Sequence, residues 1–88
     1  MKIPKLKVLI EAGAVREVDA MPEAAGGWSV WITYSRCGVE RREPLERQRG
    51  GARIFATLDA VARTLRAAGV GEFRVINPRS GEGSSDDR

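Results

Sequence analysis

Hydrophobic and polar positions recur along the chain with two periods, and these periods predict an order of helices and strands. In "IPKLKVLIEAGAV" the apolar positions Leu6 and Leu9 share one face at helical spacing. Pro4 suits the first position of a helix, and Gly13 suits the left-handed residue that ends one. The sequence therefore predicts a first helix over residues 4–12.

The clearest strand is "WSVWITYS", in which apolar and polar residues alternate. Trp28, Val30, Ile32 and Tyr34 fall on one face, which leaves Trp31 as a large aromatic residue on the otherwise polar face. A shorter strand candidate, "VREVDAM", comes before it, separated by a loop rich in turn residues.

A third strand is predicted in "VERREPL", with Val39, Arg41 and Glu43 on one face and Glu40 and Arg42 on the other. Proline cannot donate to a strand ladder, so the proline of this segment places the strand at a sheet edge or ends it there. The following "ERQRGG" is predicted to be a mobile loop, and "RIF" a short extended piece that leads into the second helix.

The second helix has the firmest local signals. Thr57 is a good N-cap residue, and Gly69 is placed to end the helix, with the residue after it packing back on the last turn. Asp59 and Arg63 are spaced i, i+4 and are predicted to form an ion pair. The segment "EFRVI" then predicts a last strand.

These elements predict an α+β fold with the order α-β-β-β-α-β and no internal repeat. The simplest arrangement has two layers: an antiparallel meander plus one further strand, with both helices on one face and the other sheet face open. We expect a single domain over residues 1–78 and a disordered, acidic Gly/Ser tail over residues 79–88.

The composition excludes several classes of function. The chain has 88 residues, one cysteine (Cys37) and no histidine, so a Cys/His zinc site and a Cys/His nucleophile pair are excluded. The acidic residues are scattered, mostly beside arginines, and none lies in an apolar run that would raise its pKa. We therefore expect a cytoplasmic, non-enzymatic protein without cofactor, metal or membrane contact.

Six arginines fall within 18 residues and form the best functional candidate: Arg36, Arg41, Arg42, Arg47, Arg49 and Arg53. Such side chains on a strand and a loop can follow a phosphate backbone. Glu40, Glu43 and Glu46 are interleaved with them and reduce the local charge to +3, so a solvated, salt-bridged strand and loop is the competing interpretation. Within the cluster, Arg41 and Arg42 have glutamates as neighbours, which favours Arg47, Arg49 and Arg53 as the contact residues.

Trp31 is the second candidate. On an open sheet face it could stack on a base or anchor a protein partner, and the alternative is that it packs under a loop or the N-terminal segment. The order α-β-β-β-α is that of a double-stranded RNA-binding domain. The lysine-rich motif with which that family contacts phosphates is missing, since "ATLDAVARTL" contains no lysine.

Three segments, "KLKVLIEAGAVREV", "GGWSVWITY" and "RGGARIFATLDAVARTLRAAGVGEFRV", are similar to small plasmid-borne proteins called ParC-type partition-associated proteins, a label unrelated to the topoisomerase subunit. The likeness covers residues 3–76. It implies a bacterial protein connected with plasmid maintenance, and it carries no site residues. This chain stops in a short acidic tail where members of the family continue into a longer charged region.

Together these features predict an accessory protein of plasmid partition that binds a plasmid-encoded protein or DNA. The alternative is a structural module that forms a homodimer and makes no nucleic-acid contact. The candidate binding residues are Arg47, Arg49, Arg53, Arg41, Arg42 and Trp31.

Overall fold

The structure, a computed structural model, describes residues 1–76. The predicted tail at 79–88 and the end of the predicted domain therefore lie outside the described residues. The elements in chain order are α1 (Ile3–Glu11), β1 (Val15–Pro22), β2 (Trp28–Arg36), β3 (Val39–Pro44), α2 (Leu58–Ala68) and β4 (Arg74–Val75). This order confirms the predicted α+β fold.

The four strands form one mixed sheet in the order β3-β2-β1-β4. Strands β1, β2 and β3 pair antiparallel as the predicted meander, and β4 pairs with β1 in parallel. Because β3 and β4 lie at opposite edges of the sheet, α2 carries the chain from one edge to the other. The predicted last strand is reduced to two residues.

Helix α1 forms as its apolar spacing predicts, with Leu6 and Leu9 buried. It begins one residue before the predicted start and ends at Glu11. Gly13 follows with a φ of 69°, and the amide of Ala14 donates to the carbonyl of Leu9 at 2.9 Å. The left-handed residue thus ends the helix as expected.

Helix α2 confirms its predicted caps. The hydroxyl of Thr57 accepts from the amide of Ala60 at 3.1 Å, and Gly69 ends the helix in the left-handed conformation. The amide of Val70 donates to the carbonyl of Leu65 at 2.8 Å, the bond expected of such a helix end. The predicted ion pair is wrong, because Asp59 and Arg63 make no contact within 4.0 Å.

The core lies between the sheet and the two helices. Val30, Ile32 and Tyr34 of β2 are buried on the helix side, as their alternation predicts. They pack with apolar residues from β1, α1 and α2, and Leu45 and Phe55 extend the core past the end of β3.

The opposite sheet face bears no helix among residues 1–76, as predicted, but three of its polar residues are buried. Asp19, Ser29 and Thr33 on this face are each less than a tenth exposed. Long side chains from neighbouring strands cover them, because charged residues bury their stems on the sheet while their ends stay near water.

Candidate nucleic-acid interface

Trp31 lies on the polar face, where strand register brings residues of all four strands together. Trp31 of β2 lies opposite Asp19 of β1, and Asp19 in turn lies opposite Arg74 of β4. The guanidinium of Arg42, from β3, stacks on the Trp31 ring at 4.8 Å from its centre. We call Asp19, Trp31, Arg42 and Arg74 the Asp19 cluster.

Two arginines neutralise the buried carboxylate of this cluster. The Nε of Arg74 donates to Asp19 Oδ1 at 2.8 Å, and Arg42 lies 3.7 Å from Asp19 Oδ2. Arg74 also pairs with Glu17 at 3.0 Å. The hydrogen bond to Asp19 raises the pKa of Arg74.

The Asp19 cluster is poorly suited to phosphate. Glu17, Asp19 and Glu40 balance the three arginines that line this groove, and two of those arginines, Arg42 and Arg74, already face carboxylates. The guanidinium of Arg42 lies over the Trp31 ring, so a base that stacked on the same side of the ring would have to displace it. Both sequence interpretations of Trp31 therefore miss its actual neighbour, an arginine from the adjacent hairpin strand.

The remaining arginine candidates form a compact turn, which we call the arginine turn (residues 46–53). Glu46 and Ala52 form an antiparallel bridge that closes it. The amide of Arg47 donates to the carbonyl of Gly51 at 2.9 Å, and the amide of Gly50 donates to the carbonyl of Arg47 at 2.9 Å. The segment predicted to be a mobile loop is therefore a hydrogen-bonded turn.

The side chains of the turn differ in what holds them. The Nε of Arg47 donates to the carbonyl of Gly50 at 3.3 Å, which fixes the side chain against its own turn. Arg53 is half-buried, with its guanidinium stacked 4.9 Å from the centre of the Phe55 ring. Arg49 is exposed at the tip. None of the three has a carboxylate within 4.0 Å among residues 1–76.

Backbone bonds attach this turn firmly to the sheet. Trp28 and Phe55 exchange two amide–carbonyl hydrogen bonds of 2.8 Å each, and Arg53 donates to the carbonyl of Leu45 at 3.1 Å. Buried Leu45 and Phe55 anchor the two arms of the turn in the core. The carboxylate of Glu46, the acidic residue of the turn, lies 3.0 Å from the amino group of Met1.

Arg41 is exposed on β3 and borders both faces of this edge strand. It lines a groove of about 340 Å³ with Tyr34, Cys37 and Glu43, and it also lines the groove of the polar face beside the Asp19 cluster. Arg41 itself has no carboxylate within 4.0 Å. Its sequence neighbour Arg42 is paired, but with Asp19 and not with an adjacent glutamate.

Sequence reasoning missed the residues that join strands to one another and to α1. Asp19 and Arg74 are 55 positions apart, and neither stands out from its local pattern. Lys5 bonds Glu43 and Tyr34 at 3.1 and 3.3 Å, although helical spacing alone places Lys5 outside. The aspartate in "EVDAM" is the signal that could have indicated this contact. A carboxylate between apolar residues of a strand is expected to be partly buried, and a buried charge requires an oppositely charged or hydrogen-bonding partner.

Residues 1–76 contain no group of three or more cysteine or carboxylate side chains placed to hold a metal ion. None of the helices in this range is long and apolar enough to cross a membrane. Most of the arginine candidates fall in two charged sites, the Asp19 cluster and the arginine turn, and the arginines of the turn have no carboxylate within 4.0 Å among residues 1–76.

Comparisons with protein-family models, with curated proteins and with solved structures found no match to this chain. The similarity to partition-associated proteins stays a prediction from the sequence. The functional argument therefore depends on the geometry of the two charged sites.

Proposed function

We propose that this protein is a non-enzymatic DNA-binding accessory module whose arginine turn contacts the phosphate backbone. The observation that carries the proposal is the contrast between the two charged sites. Arg42 and Arg74 face the carboxylate of Asp19, whereas Arg47, Arg49 and Arg53 have no carboxylate within 4.0 Å among residues 1–76. Arginines that are not paired with a carboxylate can neutralise DNA phosphates and so release the counterions that are condensed on the DNA.

The shape of the turn supports the same function. A turn fixed by backbone bonds presents its guanidinium groups with little ordering cost on binding. Arginine forms bidentate bonds to phosphate, and Arg47 and Arg53 are already oriented by contacts with Gly50 and Phe55. Exposed Arg49 at the tip is free to adapt to the position of a phosphate.

The sequence similarity supports DNA as the polyanion and plasmid maintenance or partition as the setting. A protein of such a system that contacts DNA through phosphates would show little sequence preference. A plasmid-encoded protein partner would then bind at another part of the surface, and both proteins would meet on the same DNA.

Fluorescence anisotropy with a labelled DNA duplex over a salt series tests the proposal. We expect binding that weakens steeply between about 50 and 200 mM salt, with a slope of about 0.9 per phosphate contact. Replacing Arg47, Arg49 and Arg53 with glutamine should reduce this slope by about 2 to 3 and weaken binding on all sequences alike.

The matched control replaces Arg16, Arg36 and Arg63 with glutamine, since these arginines are exposed and lie outside the turn. Each triple variant changes the net charge from +3 to 0. If both triple variants lose the same affinity, binding follows net charge and the turn is not the site. Failure of the unmodified protein to bind at low salt would reject DNA binding altogether.

A further inference from the structure

Strand β3 forms one edge of the sheet, and no described element covers its outer side between Val39 and Arg42. Beyond that stretch, the amide of Glu46 donates to the carbonyl of Met1, and the amino group of Met1 donates to the carbonyl of Pro44. The free part of the edge is therefore four residues long. Free strand edges are templates for pairing with another strand.

The hairpin geometry fixes which backbone groups point outward. Cys37 and Gly38 form a two-residue turn with φ values of 53° and 78°, so the flanking residues Arg36 and Val39 form a hydrogen-bonded pair. The alternation then bonds Arg41 and Glu43 to β2. At the far end, Leu45 donates to the carbonyl of Val30 at 2.7 Å, as the same alternation requires.

The amides and carbonyls of Glu40 and Arg42 consequently face away from the sheet. Both residues belong to the polar face, where Arg42 lies over Trp31 and Glu40 lines the same groove. Glu40 and Arg42 have opposite charges and are two positions apart. When a second copy of β3 runs antiparallel to the first, each of the two residues can therefore face its opposite charge.

We infer that two copies of this chain pair through β3, antiparallel, with Glu40 of each copy opposite Arg42 of the partner subunit. Each such pair exchanges two amide–carbonyl bonds, so the two-fold arrangement contains four. Opposite charges in directly facing strand positions stabilise the pairing. The result is one continuous sheet of eight strands that uses neither the arginine turn nor the helices.

Other antiparallel registers are less favourable. Moving the register by two residues in one direction places Arg42 opposite itself, and Glu40 then faces Pro44, which has no amide to donate. Moving it by two in the other direction places Glu40 opposite itself. Moving the register by one residue places the outward amides and carbonyls of one copy opposite residues whose backbone groups already bond β2, so no hydrogen bonds form between the copies there. Charge and hydrogen bonding thus select the same register.

One contact opposes the dimer. In the selected register Arg41 of each copy faces the same residue of the partner subunit across the two-fold axis, and like charges in facing positions destabilise a strand pair. The interface is also confined to four residues of one strand edge. The surface that such an edge buries is expected to be smaller than the roughly 1,200 Å² of a stable complex. The expected dimer is therefore weak and forms as protein concentration rises.

Sedimentation velocity over a concentration series tests this inference, with two charge variants measured separately and mixed. Glu40→Arg places cations at both positions 40 and 42, and Arg42→Glu places anions at both, so each alone should raise the dimer dissociation constant at least tenfold. Mixed in equal amounts, the two should form a one-to-one heterodimer. A monomeric unmodified protein at about 1 mM, or no heterodimer from the mixture, would overturn the inference.

Two further variants keep the test decisive if Arg42→Glu disturbs the Asp19 cluster. Glu40→Pro removes an outward amide without removing a bond to β2, and it should abolish the dimer. Arg41→Thr removes the like-charge contact and should tighten the dimer about two- to fivefold. Dimers unaffected by Glu40→Pro, or weakened by Arg41→Thr, would show that the copies meet elsewhere. All of these variants keep Arg47, Arg49 and Arg53, so the outcome is independent of DNA binding.

Discussion

Gly27 lies where the loop before β2 passes against the segment that leads from the arginine turn into α2. A Cβ added to it would lie 2.7 Å from Ile54 Cγ2 and 2.8 Å from the carbonyl oxygen of Phe55. The Phe55 backbone cannot move away cheaply, because it is paired with Trp28. Its φ of +85° is also a conformation that side chains rarely adopt.

We expect Gly27→Ala to lower the free energy of unfolding by about 3 kcal/mol or more, from backbone strain and the clash together. Gly26 provides the matched control, since its φ is +104° but a Cβ there would meet nothing within 4 Å. Gly26→Ala should cost only the strain, about 1 to 2 kcal/mol. Urea unfolding of the two variants measures the difference, and equal losses would show that the close approach is unimportant.

At the scale of elements, α1 is tied to the edge strand β3 by a small polar network. The hydroxyl of buried Tyr34 donates to Glu43, and the Lys5 ammonium lies 3.1 Å from Glu43 and 3.3 Å from the Tyr34 hydroxyl. The hydrogen bond from Tyr34, followed by the contacts with Lys5, lowers the pKa of Glu43 despite its partial burial. Tyr34 and Glu43 likewise raise the pKa of Lys5.

These pKa shifts make the network pH-dependent in a defined direction. The pKa of Glu43 is lower in the folded chain than the ordinary value of about 4.3 expected when unfolded. Its contribution to stability is therefore complete above that value and is lost as the pH falls through the folded pKa. Lys5 acts in the opposite sense: its contribution is complete below about pH 10.4 and is lost as the pH rises through its folded pKa.

We expect Glu43→Gln to lower the free energy of unfolding by about 1 to 2 kcal/mol at pH 7, because a charged hydrogen-bond acceptor is removed. The difference from the unmodified protein should shrink as the pH falls below about 4. Glu72→Gln is the control, since Glu72 is exposed and has no cation within 4.0 Å among the described residues. Parallel stability curves for the protein and Glu43→Gln from pH 3 to 7 would contradict the assigned network.

The two helices and the meander could be predicted from the sequence because their signals are local. Thr57 and Gly69 cap α2 by contacts within four residues, and the alternation in β2 decides which side chains enter the core. The cover over Trp31 could not be predicted in this way. It depends on the register of β3 against β2, which brings Arg42 over the ring from the neighbouring strand.

The arginine turn shows the same limit at the candidate site. Its three arginines were predicted as the contact residues from the glutamates beside Arg41 and Arg42, and the geometry gives a different reason for preferring them. Arg42 is neutralised by Asp19, which lies 23 positions earlier and on another strand. Contacts between residues of different strands depend on strand order and register, and a local sequence pattern does not determine strand order.

At the scale of the whole molecule, β4 closes the sheet across a long separation in sequence. Arg74, 55 positions after Asp19 in the sequence, bonds it at 2.8 Å, and Ile76 donates to the carbonyl of Ala20 at 2.8 Å. Only two residues of β4 belong to the ladder, and both are exposed. Short, exposed pairings of this kind open with less free energy than the global unfolding of a domain.

We expect Arg74→Gln to speed hydrogen exchange at the Ile76 amide about tenfold or more, with little change at the β1–β2 amides. Loss of the bonds to Asp19 and Glu17 weakens the docking of β4 without touching the core. Arg66→Gln serves as the control, because Arg66 is exposed on α2 and has no carboxylate within 4.0 Å. Uniform acceleration across the sheet would mean that β4 opens only when the whole domain unfolds.

The parallel strand β4 also bears on aggregation. While β4 is docked, it occupies the outer side of β1 at Asp19 and Ala20, and the edge on that side among residues 1–76 is the two-residue β4. Short edge strands limit further pairing. When β4 detaches, the eight-residue β1 becomes a longer free edge on that side of the sheet. Two free edges allow head-to-tail addition without closure, which is the route to filaments. We therefore expect loss of the salt bridge between Arg74 and Asp19 to favour growth of the sheet through its edges.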